Sequence, residues 1–186
     1  MRFRFLLSAL TLLSVQAFSQ SKNTISLVYG AAGNIVDIHN AIGDFGYTAQ
    51  SGYQYGIGYT RNFSKSFSLE TGLIYSESKI QLTTSGPGHG IYNQNLDMVT
   101  VPLYADFTFL KYLYAQGGVL FDHETNYTSN HNLVDQSGVG IELGIGGRCN
   151  FGPVSVFVNP FLCRHALNAQ SNLMEAGARF GLGFNF

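Results

Sequence analysis

The sequence predicts an all-β fold, an eight-stranded antiparallel up-and-down barrel that crosses a membrane with its strands. Three observations predict it. Apolar residues recur at every second position through eight segments, and glycine or polar residues fill the positions between. The segments are joined alternately by short turns and long polar connections, as successive hairpins of a closed barrel require. The chain also combines 22 Gly, 15 Phe and 11 Tyr with only 11% charged residues, an unusual balance for a water-soluble domain.

The first segment, "MRFRFLLSALTLLSVQAFSQ", carries Arg2 and Arg4, then an apolar run from Phe5 to Val15, then the small-residue pattern Ala17, Phe18, Ser19. That order is expected of a signal peptide over residues 1–20. The run is too short to span a hydrocarbon core of about 30 Å as a helix. A mature barrel domain over residues 21–186 is then expected, exported from the cytoplasm. Setting Arg2 and Arg4 aside leaves 8 basic against 11 acidic residues, a net charge of about −3. No clustered basic surface is available for phosphates, so no nucleic-acid partner is expected.

The eight strands are predicted at Thr24 to Ala32, Gly52 to Phe63, Phe67 to Leu82, Leu96 to Phe109, Leu113 to Asp122, Val139 to Phe151, Val154 to Cys163 and Leu173 to Phe186. Short turns fall at Ser64 to Ser66, Leu110 to Tyr112 and Gly152 to Pro153. Long polar connections fall at Gly33 to Ser51, Thr83 to Asn95, His123 to Gly138 and Arg164 to Asn172. Strands three and four run long, so they are expected to project beyond the membrane as a paired ribbon.

One parity collects Ile25, Leu27 and Tyr29, then Tyr55, Ile57, Leu73, Val101, Leu103, Phe121, Ile141, Leu143, Val156 and Val158, and closes with Phe180, Leu182, Phe184 and Phe186. The other parity holds Gln54, Gly56, Gly58, Glu70, Gly72, Tyr104, Asp106, Gln116, Glu142, Gly144, Gly146, Arg148, Gly177, Arg179 and Gly181. Glycines and charges cannot make the core of a soluble barrel, so the apolar set must face lipid. Tyr53, Tyr59, Phe63, Tyr75, Phe109 and Phe151 lie near strand ends, where aromatic girdles mark the two interfaces.

These stretches resemble a known family. "SLETGLIYS" at Ser68 to Ser76, "VTVPLYADF" at Val99 to Phe107 and "PVSVFVNPF" at Pro153 to Phe161 look like the small PorT-like outer-membrane β-barrels of Bacteroidota. The architecture is similar to OmpX and to the transmembrane domain of OmpA. The resemblance implies residence in the outer membrane of a Gram-negative bacterium, in contact with its lipids and lipopolysaccharide, as a monomer. It also implies that the terminal Phe186 serves as the signal read by the barrel assembly machinery. It transfers no catalytic motif and no cofactor.

An eight-stranded barrel is just wide enough for side chains to fill, so interior charges must pair with one another or with trapped water. If Phe63 faces Phe67 across its turn, Glu70 lies opposite Thr60; if Phe109 faces Leu113, Asp106 lies opposite Gln116. A lumen network of Glu70, Asp106, Arg148 and Arg179 is predicted, with Glu142 nearer the rim of the long connections. Such a network reads either as a plug that fixes register or as a gated, ion-conducting constriction.

Cys149 is expected opposite Val156 and Cys163 opposite Glu142, on opposite faces and about 24 Å apart along the hairpin, so two free thiols and no shared metal site are predicted. His39, His89, His123, His131 and His165 all fall in or beside predicted connections. Some barrels of this size are lipid A deacylases with a His and Ser pair, but His165 stands six residues before Ser171 across a connection, and a solvated loop histidine is expected. "SGPGHG" at Ser85 to Gly90 follows no phosphate-loop spacing. The polar connections, with Tyr92, Tyr127 and Asn130, are suited to contact a protein, glycan or lipopolysaccharide. The expected role is therefore non-enzymatic, structural or surface-interacting, with a narrow channel, a lipid-modifying enzyme and a secreted soluble barrel as alternatives.

Overall fold

The computed structural model describes residues 23–38, 45–84, 90–126, 135–167 and 171–186. The expected signal peptide lies outside the described residues, as do His39, His89, His131, Tyr127 and Asn130. The strands are β1 (Asn23–Ile38), β2 (Phe45–Asn62), β3 (Phe67–Thr84), β4 (Gly90–Thr108), β5 (Leu113–Glu124), β6 (Gly138–Phe151), β7 (Val154–Arg164) and β8 (Ser171–Asn185). Each pairs antiparallel with the next, and β8 returns to β1 to close the barrel. Closure removes both sheet edges and satisfies the backbone inside lipid, where no water can do so.

Each strand reaches to within a residue or two of its predicted ends at the tight-turn rim. At the other rim the strands run further than periodicity indicates. β1 and β2 consume most of the expected connection from Gly33 to Ser51, and only residues 85–89 separate β3 from β4. The β3–β4 pair continues to Thr84↔Gly90, so the two strands stay paired to their ends. Polar residues there keep the ladder because pairing depends on the backbone, whereas alternation is read from side chains.

The three tight turns have local causes. Ser64 Oγ accepts from the Phe67 amide at 3.0 Å and from the Ser66 amide at 3.2 Å, folding the β2–β3 turn. The β4–β5 turn is held by the Leu113 amide on the Leu110 carbonyl at 3.3 Å. In the β6–β7 turn Gly152 sits at φ +63°, the left-handed region that a two-residue hairpin turn demands at its first central position. The resulting registers place Thr60 opposite Glu70, Asp106 opposite Gln116 and Cys149 opposite Val156, as the turns predict.

The two faces have opposite chemistry. Leu27 is 65% exposed and Leu143 67%, with Ile57, Leu103, Phe180 and Leu182 also exposed, whereas Gln54, Thr60, Asp106, Gln116, Glu142 and Arg179 are buried. The outer wall is a hydrocarbon-facing surface and the interior a polar core. The glycine-rich inner parity has a steric reason at two positions. A Cβ on Gly146 would meet the Tyr114 ring, and one on Gly181 the Phe157 ring. These glycines vacate the volume that the inward rings occupy.

Candidate functional site

The lumen side chains form three tiers, each crossing the barrel. Nearest the tight turns, Arg148 of β6 lies 3.6 Å from Glu70 of β3 and 3.7 Å from Asp106 of β4. Thr60 donates to Glu70 at 3.2 Å. Asp106 accepts from Gln116 at 2.9 Å and from Ser68 at 3.4 Å, and Asn159 of β7 donates to Gln116 in turn. Arg148 also lies over the Tyr114 ring, 4.9 Å from its centroid.

The middle tier is built on Arg179 of β8. Its guanidinium donates through Nη1 and Nη2 to both carboxylate oxygens of Glu142 on β6, the second at 2.7 Å, in the two-pronged geometry that favours arginine over lysine. Nε donates to Gln54 of β2 at 2.8 Å and Nη1 to Tyr104 of β4 at 3.0 Å. The Phe161 ring covers the guanidinium face at 4.1 Å from Cζ. The charge is thus enclosed by side chains from four strands.

This differs from the expected arrangement. Glu70, Asp106 and Arg148 meet, but Arg179 is not among them; it pairs instead with Glu142, the residue expected nearer the rim. Strand tilt is the reason, since closure staggers residues that equal counts from the turns would place level. Between the two tiers lies a cavity of about 10 Å³, bordered by Glu70, Tyr104, Gln116 and Arg179. That is at most about one water. Below, at the tight-turn rim, a cavity of about 290 Å³ opens between Lys65, Lys111, Tyr114 and Arg148.

The third tier, toward the long connections, overturns the expectation for His165. It is buried, not a solvated loop residue. Its Nδ1 lies 2.8 Å from Asp122 Oδ2 of β5 and its Nε2 3.2 Å from Cys163 Sγ of β7. Glu175 of β8 pairs directly with Cys163 in register, and its Oε2 is 3.9 Å from the sulfur and 3.7 Å from His165 Nε2. Ser78 donates to Glu175 Oε1 at 2.9 Å and Gln54 to Oε2 at 2.7 Å. The pairing of Cys163 with Glu175 depends on the β7–β8 register, which spans a long connection; that Cys163 faces inward is already legible in its place opposite Glu142 across the short β6–β7 turn.

A thiol, imidazole and carboxylate in this order match the nucleophile, base and orienter of acyl-transfer enzymes. Here the sulfur faces the Glu175 carboxylate, which opposes a reactive thiolate, and residue 163 is only 4% exposed. The second cysteine, Cys149, is exposed on the outer face, and both are free thiols.

Fold and faces together define an outer-membrane β-barrel protein. The chain belongs to the outer membrane protein β-barrel domain family, whose model matches residues 5–186. Its place is the outer membrane of a Gram-negative bacterium. No curated protein matches the sequence. Among solved structures it is similar to the outer membrane protein OprG of Pseudomonas aeruginosa, with a TM-score of 0.56, 13% identity, and coverage of 90% of this chain and 97% of that one. The attachment invasion locus protein Ail of Yersinia pestis aligns at a TM-score of 0.48 and 12% identity over 89% of this chain and 99% of its own. The N-terminal β-barrel domain of Pseudomonas aeruginosa OprF aligns at 0.43 and 19% identity, over 87% and 97%. The OprG likeness is one of fold.

Proposed function

We propose that this protein is a sealed, non-enzymatic outer-membrane barrel that works as a structural or surface-interaction protein through its long connections. The observation that carries the reading is the Arg179 tier, in which Glu142, Gln54 and Tyr104 close on one guanidinium and leave about 10 Å³ beside it. An interior so filled conducts no hydrated ion. Activity must then reside outside the lumen.

On this reading the tight-turn rim, where Asn23 and Phe186 exchange backbone hydrogen bonds at 3.1 and 2.9 Å, faces the periplasm. The long connections face outward, among lipopolysaccharide, where a protein or glycan ligand docks. Phe186 acts as the assembly signal, and the barrel functions as a monomer. Within the family, "VTVPLYADF" and "PVSVFVNPF" support a PorT-like affiliation.

Single-channel recording of the refolded mature chain in a planar bilayer tests this, with a boiled against unboiled gel shift to establish folding. Silence from folded protein is expected; steady discrete openings would replace the reading with a narrow channel. One observation favours that second reading, the open cavity of about 290 Å³ that is lined by Tyr114 and Arg148 at the tight-turn rim.

A further inference from the structure

We propose that Cys163, His165 and Glu175 form a binding site for a divalent transition-metal ion, with zinc the best-fitting chemistry. One ligand atom from each residue, the thiol sulfur, Nε2 and a carboxylate oxygen, lies within 4.8 Å of the other two. A tetrahedral zinc with bonds of about 2.0–2.3 Å holds its ligand atoms about 3.3–3.6 Å apart. The separations here are 3.2 Å for sulfur to Nε2, 3.7 Å for Nε2 to Oε2 and 3.9 Å for sulfur to Oε2. A shift of a few tenths of an ångström therefore completes three corners of the tetrahedron.

The surroundings fit a metal. His165 presents Nε2 to the site while Nδ1 faces Asp122 at 2.8 Å, so a neutral imidazole donates Nδ1–H to that carboxylate and keeps its Nε2 lone pair for the ion. Asp122 is held in turn by Thr100, which donates to Oδ1 at 2.7 Å. Gly140 makes the contact possible. A Cβ there would lie 2.6 Å from the Arg164 carbonyl oxygen, 3.0 Å from Asp122 Oδ2 and 3.2 Å from His165 Cα. Glu175 has both oxygens anchored, by Ser78 and Gln54.

A fourth polar group is at hand in Asn34, which pairs with Glu175 across the β1–β8 ladder. It is 1% exposed, and neither of its amide atoms has a hydrogen-bond partner among the described residues. Its Nδ2 and Ser78 Oγ both border the space above Gly52. An unpartnered buried amide beside Glu175 suits a metal-bound water or a carbonyl ligand.

Thiolate and imidazole select zinc, or cobalt as its probe, over calcium and magnesium, which prefer oxygen donors. On binding, the Cys163 S–H bond breaks, sulfur keeps the electron pair and bonds the metal, and the proton leaves to solvent. The ion would tie β7 to β8 at the rim of the long connections. Binding must therefore weaken as pH falls.

Cobalt(II) titration of refolded Cys149→Ser protein decides the matter, because Cys163 is then the sole thiol of a chain with two cysteines. The expected result is saturable one-to-one uptake with a sulfur-to-cobalt charge-transfer band, abolished by equimolar zinc. Asp122→Asn, which removes no ligand atom, should weaken binding about 10–100-fold, and Glu175→Gln at least as much. Saturation without the sulfur band, or no saturable uptake by protein shown to be folded by its gel shift, overturns the proposal. In the second case His165 serves instead as a charge bridge between Asp122 and Glu175.

Discussion

The two arginines of the lumen live in different worlds. Arg179 makes a two-pronged contact with Glu142, and the two side chains are 7% and 0% exposed. Arg148 stands 3.6 and 3.7 Å from two carboxylates, with a side chain 19% exposed above an open cavity of about 290 Å³. The first is a desolvated ion pair whose alternatives to pairing are costly; the second retains water as a competitor. Paired charges in this interior are therefore not equivalent, and under the proposed sealed barrel the seal is assigned to Arg179.

Arg179→Met should be the most damaging substitution in the lumen. It strands a buried carboxylate and should cost about 3–5 kcal/mol of unfolding free energy, measured by urea or guanidinium denaturation of the reconstituted barrel. Adding Glu142→Gln should recover a substantial part, because the uncompensated charge is then gone; no recovery would mean that the guanidinium acts mainly through Gln54, Tyr104 and Phe161. Conductance should appear only in variants that lack Arg179.

An intermediate effect is expected at Gly140, in the tier above. Gly140→Val drives a Cβ to 2.6 Å from the Arg164 carbonyl oxygen and places atoms against Asp122 and His165, and overpacking of this kind costs about 1–3 kcal/mol. The same denaturation experiment reads it, with far-UV circular dichroism as the probe, since a chain with no Trp offers no indole fluorescence to follow.

Arg148→Met should be milder, about 1–3 kcal/mol, because the guanidinium is partly exposed and Asp106, 1% exposed, keeps its hydrogen bonds from Gln116 and Ser68 when it loses the cation. Replacing Glu70 and Asp106 together by Ala should likewise leave the bilayer silent, because the Arg179 tier remains shut. Openings in that double variant would move the seal to the lower tier. Smallest of all is Cys149→Ser on the outer face, expected within about 0.5 kcal/mol of the parent. A larger loss would show that residue 149 packs against a partner.

Much of the barrel is legible in the amino-acid order alone. Alternation in "FGLGFNF" at Phe180 to Phe186 already separates a lipid face from an interior face, and the tight turns carry their own registers, so Glu70 meets Thr60 and Asp106 meets Gln116 where expected. Strand extension past Ala32 and Leu82 is hidden, because polar side chains there conceal a continuing backbone ladder. Partner choice among the charges is hidden too. His165 reads as a loop residue because it directly follows β7, yet its amide donates to the Leu173 carbonyl at 2.9 Å and the ring turns inward.

The all-β barrel, its lipid-facing wall and the hairpin pairings across three short turns follow from the sequence without further help, because side-chain alternation and turn chemistry are local and survive any register. That Arg179 reaches Glu142, and that Cys163, His165, Glu175 and Asp122 converge, emerges only in the folded barrel. Those meetings depend on closure of β8 against β1, on strand tilt and on registers set across long connections, and no short stretch of chain encodes any of the three.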